Sequence, residues 1–355
     1  MKLYGNKRKK GCVTKLIISL SIILIIIAGG MIYYNIAIKP PQIPSINGGD
    51  DGVAFHTPEF NPDDAQLNTE KRAPIGVTDD HRKQDFYTFL IIGLDEGINT
   101  DTIMVASYDA GNKEANIISI PRDSLVNVSR RVKKINAAYG AGTLNGGGKE
   151  GGIEQLGREV KTIIGFVPDF YVIINLKAFV EIVDAVGGVE VEVRNNMVYN
   201  DPTQNLRINI PKGTHTLDGS DALKFARYRR GAPGYKTISD YERIENQQAV
   251  IKALLSEVLK PANLLKIPEF IRVFSGNVYT DLSLTEITWF ATQLNSVRNT
   301  DALHTHTMPT TGTSGLPMYY EFLDEVAILE LVNSTINPYT VDIKPEDVDI
   351  LSRVP

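Results

Sequence analysis

The sequence predicts an α/β domain, a sheet covered by helices on both faces, held at a membrane by one N-terminal transmembrane helix. Two observations lead there. Residues 16 to 38, LIISLSIILIIIAGGMIYYNIAI, carry no ionisable charge over 23 positions. At about 1.5 Å rise per residue that run crosses a hydrocarbon core of roughly 30 Å. From residue 86 to about 335, short β-rich apolar runs then alternate with helical patterns, the signature of a sheet sandwiched between helices. The 355 residues suffice for an anchor plus one large domain or two small ones.

The basic tip precedes the anchor. Residues 1 to 15 hold six cations (Lys2, Lys7, Arg8, Lys9, Lys10 and Lys15) and no acid, leaving 31 basic against 42 acidic residues elsewhere. Tyr33 and Tyr34 sit at the far end of the run, and no A-x-A-like site follows it. The positive-inside rule places residues 1–15 in the cytoplasm as a basic tail and the rest of the chain outside, at the cell membrane; a long cleaved signal peptide is the competing reading. An acidic body argues against nucleic acid as a partner. The single cysteine, Cys12, excludes an intramolecular disulfide and a cysteine-rich zinc site, and the five histidines lack metal-ligand spacing.

Residues 39–84 are rich in proline and include a Gly-Gly-Asp-Asp-Gly run, which suits an extracellular spacer. The domain itself is placed at 85–338, with 339–355 as a C-terminal tail. Within it FYTFLIIG, TIMVASY and ANIISIP read as strands. Helices are expected at 153–164 and 177–186, with DFYVIIN, VEVEV and LRINI as further strands. Helices follow near 219–228, 240–259 and 284–296, then a strand at 302–308 and a helix at 320–334. The glycine-rich YGAGTLNGGGKEGG at 139–152 reads as a mobile loop, since no phosphate-loop spacing is satisfied there.

Short linkers make the first three strands two successive tight connections. Asp95, Asp101, Arg122 and Asp123 then fall at one edge of the sheet. Two carboxylates about 4 Å apart repel by roughly 4 kcal/mol at an effective dielectric near 20, so such a pair calls for a cation or a proton. Oxygen-only ligands favour Mg2+ or a similar hard ion; the plain alternative is two ordinary turn acids. In FARYRR, Arg227, Arg229 and Arg230 close a helix, either as a solvated basic face or as a phosphate site. Downstream, Ser239 and Glu242 make a capping box that starts a helix. On it Asp240, Arg243 and Gln247 share a face continued by Ile251, Leu254 and Val258. Asp240 reads equally as a first-turn acid complementing the helix dipole. Carboxylates and arginines together are the parts that hold a diphosphate.

These segments resemble the LytR-CpsA-Psr family of cell-envelope phosphotransferases. The resemblance is carried by FLIIGLD (89–95), TDTIMV (100–105), ISIPRDSLV (118–126), KINAAY (134–139), VPDFYVIINLKAFVEIVDAVGGVEVEV (167–193), GTHTLDGSDALKFARYRR (213–230) and DYERIENQQ (240–248). It implies a three-layer α/β/α sandwich with a mixed central sheet. It also implies an enzyme that takes a polyprenyl diphosphate-linked glycopolymer, a wall teichoic acid or capsular polymer in Gram-positive bacteria. The polymer passes with its proximal phosphate to a peptidoglycan hydroxyl, and the lipid lies in an apolar groove. By the same resemblance Asp95 and Asp101 bind Mg2+. Arg122, Arg227, Arg229, Arg243 and Gln247 hold the diphosphate. Arg122, Asp240 and Arg243 form the catalytic set, with Asp240 as base or orienting group. Two departures stand out: the loop between Asp95 and Asp101 lacks the arginine common there, and Asn246 stands where the family carries a second arginine. They favour the alternative of a non-catalytic binder of lipid-linked polymer. A transcriptional role would need a DNA-binding segment on the cytoplasmic side, where only about 15 residues are available.

Overall fold

The computed structural model describes residues 39–43, 45, 72–94, 98–202, 206–264, 266–293, 300–315 and 318–354. The basic tail, the expected transmembrane helix at 16–38 and Asp95 lie outside the described residues. Among those described, no helix is long and apolar enough to cross a membrane.

Strands β1 (Phe86–Leu94), β2 (Thr100–Asp109) and β3 (Glu114–Ser119) run antiparallel in succession, as the short linkers require. Helix α1 (Gly148–Ile164) leads into β4 (Phe170–Ile174), which pairs parallel to β1. Helix α2 (Leu176–Val186) is followed by two antiparallel pairs. In these, β5 (Val189–Val193) joins β8 (Gly213–Leu217), and β6 (Met197–Asp201) joins β7 (Leu206–Ile210). Then come α3 (Gly219–Arg227), α4 (Asp240–Val258), α5 (Ile267–Asn277), β9 (Tyr279–Thr280) and α6 (Leu284–Gln293). The chain closes with β10 (Leu303–Thr307), the hairpin strands β11 (Thr310–Thr313) and β12 (Glu321–Leu323), and α7 (Glu325–Thr335). The six-stranded mixed sheet has the order β10-β3-β2-β1-β4-β9.

Side chains alternate across a strand, and both faces of this sheet are buried. On one, Leu90, Ile92, Ile103, Val105 and Ile118 pack against Ile153, Leu156 and Val160 of α1 and Ile328 and Val332 of α7. On the other, Met104, Ala106, Ile117 and Leu303 meet Ile251 and Leu255 of α4, while Tyr87 and Phe170 meet Trp289 and Phe290 of α6. Each fully buried side chain of this size contributes roughly 1.5–3 kcal/mol. A second core sits beside the sheet. In β5, Val189, Val191 and Val193 point inward and Glu190 and Glu192 outward, and the valines pack with Val183 of α2, Ala222 and Phe225 of α3 and Val250 of α4. The chain on both sides of 85–338 is packed onto the main core: Ala73 before it and Tyr339, Ile343 and Val348 after it are buried there.

Two expectations change. The glycine-rich segment folds as helical turns at Ala138–Gly142 and Thr143–Gly147 running into α1, not as a loop. Its glycines serve close packing: a Cβ on Gly142 would lie 2.0 Å from the Gly151 carbonyl oxygen, and one on Gly152 2.8 Å from that of Tyr139. The helix expected at 320–334 begins later, because Asp324 caps α7 through the Ala327 amide and leaves Glu321–Leu323 to pair as β12.

Candidate active site

A cavity of about 680 Å³ opens between the ends of β1 and β4, the second core and α4. Its lining is of two chemical kinds: Asp101, Arg122, Arg227, Arg229, Arg230, Arg243 and Gln247 are charged or polar, and Ile91, Met104, Leu176, Phe179, Leu223 and Ile251 are apolar.

Local structure explains how the charged lining is assembled. Leaving β3, Pro121 opens a tight turn closed by the Ser124 amide at 3.0 Å, and this turn projects Arg122 back over the start of β2. There Arg122 Nη1 donates to Asp101 Oδ1 at 2.8 Å. At the other side, α3 stops at Tyr228, whose backbone has left helical geometry. The extended backbone alternates, so Tyr228 enters the second core while Arg227 and Arg229 both reach the cavity. The Ile238 amide donates to the Arg229 carbonyl at 2.8 Å and fixes the loop that returns to α4. The capping box at Ser239 and Glu242 is formed as the sequence predicts: the Ser239 hydroxyl accepts from the Glu242 amide and Glu242 accepts from the Ser239 amide at 2.9 Å. The same helix face then presents Asp240, Arg243, Gln247 and Ile251 in sequence, the last three lining the cavity.

Asp240 lies behind that wall. Its Oδ1 is 2.8 Å from Arg243 Nη2 and 3.8 Å from Arg122 Nε, and both Asp240 and Arg243 are nearly buried, at 8% and 6% side-chain exposure. Yet neither Asp240 oxygen makes an aligned hydrogen bond among the described residues, nor do Arg122 Nε and Arg243 Nε. The distances are those of ion pairs but the orientations are not those of hydrogen bonds. Burial lowers the Arg243 pKa and Asp240 raises it back, with Arg122 and Arg229 opposing. An arginine stays charged through such a shift, so the site is a cluster of cations with incompletely satisfied donors, suited to an anion.

The fit to a metal ion is incomplete among the described residues. Asp101 lines the cavity, but its Oδ1 is engaged by Arg122, and the other expected ligand, Asp95, falls outside. No group of three or more His, Cys, Asp or Glu among the described residues could hold an ion by itself. An ion here would have to share the oxygens of a bound anion, as Mg2+ commonly does with substrate phosphates.

The structure therefore brings Asp101, Arg122, Arg227, Arg229, Arg243 and Gln247 to one cavity and Asp240 to its back wall. Asn246 does not line it. The apolar lining could not be assigned from sequence. Its residues come from β1, β2, α2, α3 and α4 and look like ordinary core positions in each. Arg230 of the FARYRR run also lines the cavity, as do Tyr199 and Asp201, which were not singled out as site residues.

Comparison with known proteins places this geometry. The sequence model of the LytR_cpsA_psr family matches residues 57–336. Regulatory protein MsrR of Staphylococcus aureus is 28% identical over 202 residues, covering 55% of this chain and 56% of MsrR. The polyisoprenyl-teichoic acid–peptidoglycan teichoic acid transferase TagU of Oceanobacillus iheyensis is 29% identical over 224 residues, covering 62% of this chain and 66% of TagU. The chain thus matches between about half and two thirds of these relatives' own length. The crystal structure of B. subtilis TagV superposes with a TM-score of 0.58 at 25% identity, over 71% of this chain and 96% of TagV.

Proposed function

This chain belongs to the LytR_cpsA_psr family, and we propose that it transfers a glycopolymer, with its proximal phosphate, from a polyprenyl diphosphate carrier to a hydroxyl of peptidoglycan. The observation that carries the reading is the mixed lining of one cavity: arginines and apolar side chains together fit an amphiphile with an anionic head. A relative named for moving teichoic acid to peptidoglycan supports the class of polymer and acceptor.

In this reading the lipid lies against the apolar side chains, and the diphosphate lies among Arg122, Arg227, Arg229, Arg243 and Gln247. Phosphoryl transfer asks little covalent chemistry of a protein and much charge neutralisation. Guanidinium forks match phosphoryl oxygens in geometry. Asp240, held against Arg122 and Arg243, fixes their positions and is the group proposed to orient the reaction or take up a proton. Asp101, with Asp95, would hold Mg2+, which would offset charge on the diphosphate. Residues 16–38 would keep the domain at the outer face of the cell membrane, where a lipid-linked donor is found.

The test is the full chain in lipid vesicles with a polyprenyl diphosphate-linked glycan, Mg2+ and soluble peptidoglycan fragments. We expect release of polyprenyl monophosphate with transfer of the polymer, reduced about 10²–10³-fold by Arg122→Ala. Tight binding of the donor with no product from the unaltered chain would establish the binder instead.

A further inference from the structure

The cavity lining includes a pair that neither a diphosphate nor a lipid calls for. Tyr199 and Asp201 of β6 both line it. Alternate residues of a strand share a face, and theirs is the face whose Met197 enters the second core. The Tyr199 hydroxyl donates to Asp201 Oδ2 at 3.2 Å, and both side chains are half-buried. Strand pairing sets Asp201 opposite Leu206, which lines the cavity as well. β6 is also tied to the arginine run: the amide of Ala232, just past Arg230, donates to the Val198 carbonyl at 2.8 Å.

The other polar lining groups are occupied or belong to the anion. Asn175 caps α2 by accepting from the Ala178 amide at 2.8 Å, and Asp101 is engaged by Arg122. The arginines and Gln247 take the phosphoryl oxygens in the reading above. Asp201 is thus an acid on the wall of a cationic cavity, where its charge repels a diphosphate. Its counterpart is a part of the ligand that is uncharged and rich in hydrogen-bond donors.

A loaded carrier has such a part. Its first sugar is joined to the proximal phosphate through one P–O–C link, so the sugar ring lies next to whatever holds that phosphate. A pyranose presents an apolar C–H face and a rim of hydroxyl donors. A phenol ring supplies flat apolar contact with a polar tip, and a carboxylate accepts O–H donors in charge-assisted bonds. A bare polyprenyl diphosphate ends instead in a terminal phosphate, with charge where the loaded carrier has its sugar.

Resting on the donor-site reading of the cavity, we propose that Tyr199 and Asp201 form the subsite for the sugar nearest the diphosphate. Tyr199 receives the apolar face of the ring and Asp201 its hydroxyls, while the Tyr199 hydrogen bond holds the carboxylate in position. The same carboxylate repels the terminal phosphate of an unloaded carrier, so the pair selects carriers that bear a polymer. Specificity of this kind joins a contact to the right ligand with a repulsion against the wrong one.

The experiment is titration calorimetry on the full chain in lipid nanodiscs, with two short soluble probes: geranyl diphosphate and the same molecule carrying one glucose on its terminal phosphate. The unaltered chain should bind the glucosylated probe more tightly. Asp201→Asn should weaken the glucosylated probe about tenfold and bind geranyl diphosphate as tightly as before or more so, because an acid has left an arginine cavity. Tyr199→Leu should also weaken the glucosylated probe about tenfold, with geranyl diphosphate within about twofold. Tyr199 packs partly against the second core and its variant can lose stability, so Asp201→Asn carries the decisive test. Equal weakening of both probes by Asp201→Asn would show that Asp201 only shapes the cavity, and equal tightening that it only balances the arginines. Either result, no change in either probe, or equal affinity of the unaltered chain for the two overturns the sugar subsite alone. No binding of geranyl diphosphate by the unaltered chain overturns the donor site on which it rests, and the subsite with it.

Discussion

Two buried arginine–carboxylate groups in this molecule have the same ingredients and opposite degrees of completion. Arg130 and Glu159 are satisfied: Arg130 donates from Nε to the Val132 carbonyl and from Nη2 to the Lys134 carbonyl, each at 2.7 Å, and engages both oxygens of Glu159. Gln155 adds a further bond to Glu159 at 2.8 Å. Arg122, Asp240 and Arg243 are similarly shielded from solvent, yet two guanidinium nitrogens and both carboxylate oxygens make no hydrogen bond among the described residues. A buried ion left short of partners is costly. The first cluster is complete within the fold, and the second is the one whose open donors the proposed anion would meet.

The largest effect that would break this comparison is on stability. Glu159→Ala leaves Arg130 buried without its counter-ion and should lower unfolding free energy by about 3–5 kcal/mol, measured by chemical denaturation. Activity per folded molecule should not change. A loss of turnover with stability intact would move Glu159 into the site and erase the distinction.

The converse variant comes next. Arg243→Gln should lower transfer by about 10²-fold or more. Its cost in stability should be smaller than that of Glu159→Ala, because Asp240 keeps Arg122, 3.8 Å away, as a counter-ion. A stability loss equal to that of Glu159→Ala would show that the cleft charges hold the fold together too.

The apolar lining can be sharpened separately. Phe179→Ala should weaken binding of a full-length polyprenyl diphosphate by about tenfold, in line with losing 1–3 kcal/mol of apolar contact. Binding of a short, water-soluble diphosphate should be unchanged. Equal weakening of both would mean that the apolar lining orders the arginines rather than holding lipid.

What was legible in the sequence follows how locally each feature is encoded. The strands β1 to β3 and their antiparallel succession were readable because each is a continuous apolar run with a short connection. The Ser239 capping box marked the start of α4 to the residue, and with it the shared face of Asp240, Arg243 and Gln247. The strands β6 and β8 were missed because VYND and GTHTL have weak alternation and owe their pairing to partners across a hairpin. The α5 segment IPEFIRVFSGN went unassigned and folds as a helix with Pro268 near its N-terminus. The role of the glycines at 142 and 152 lies in tertiary close approach, which composition alone presents as loop.

The smallest expected effect completes the comparison with an ion pair of a third kind. Arg194 and Glu245 approach each other with side chains 66% and 49% exposed. Water solvates both ions whether or not they meet, and holding two long side chains in one geometry costs entropy. Arg194→Ala should therefore change stability by less than about 1 kcal/mol, an effect that salt diminishes further, and should leave transfer untouched. With Glu159→Ala and Arg243→Gln measured in the same buffer, the three variants separate burial from completion: Arg194 tests charge without burial, Glu159 burial with satisfied partners, and Arg243 burial with partners still missing. A loss at Arg194 comparable to that at Glu159 would show that contact distance alone sets the strength of these pairs, and the argument from unsatisfied groups to an anion site would lose its footing.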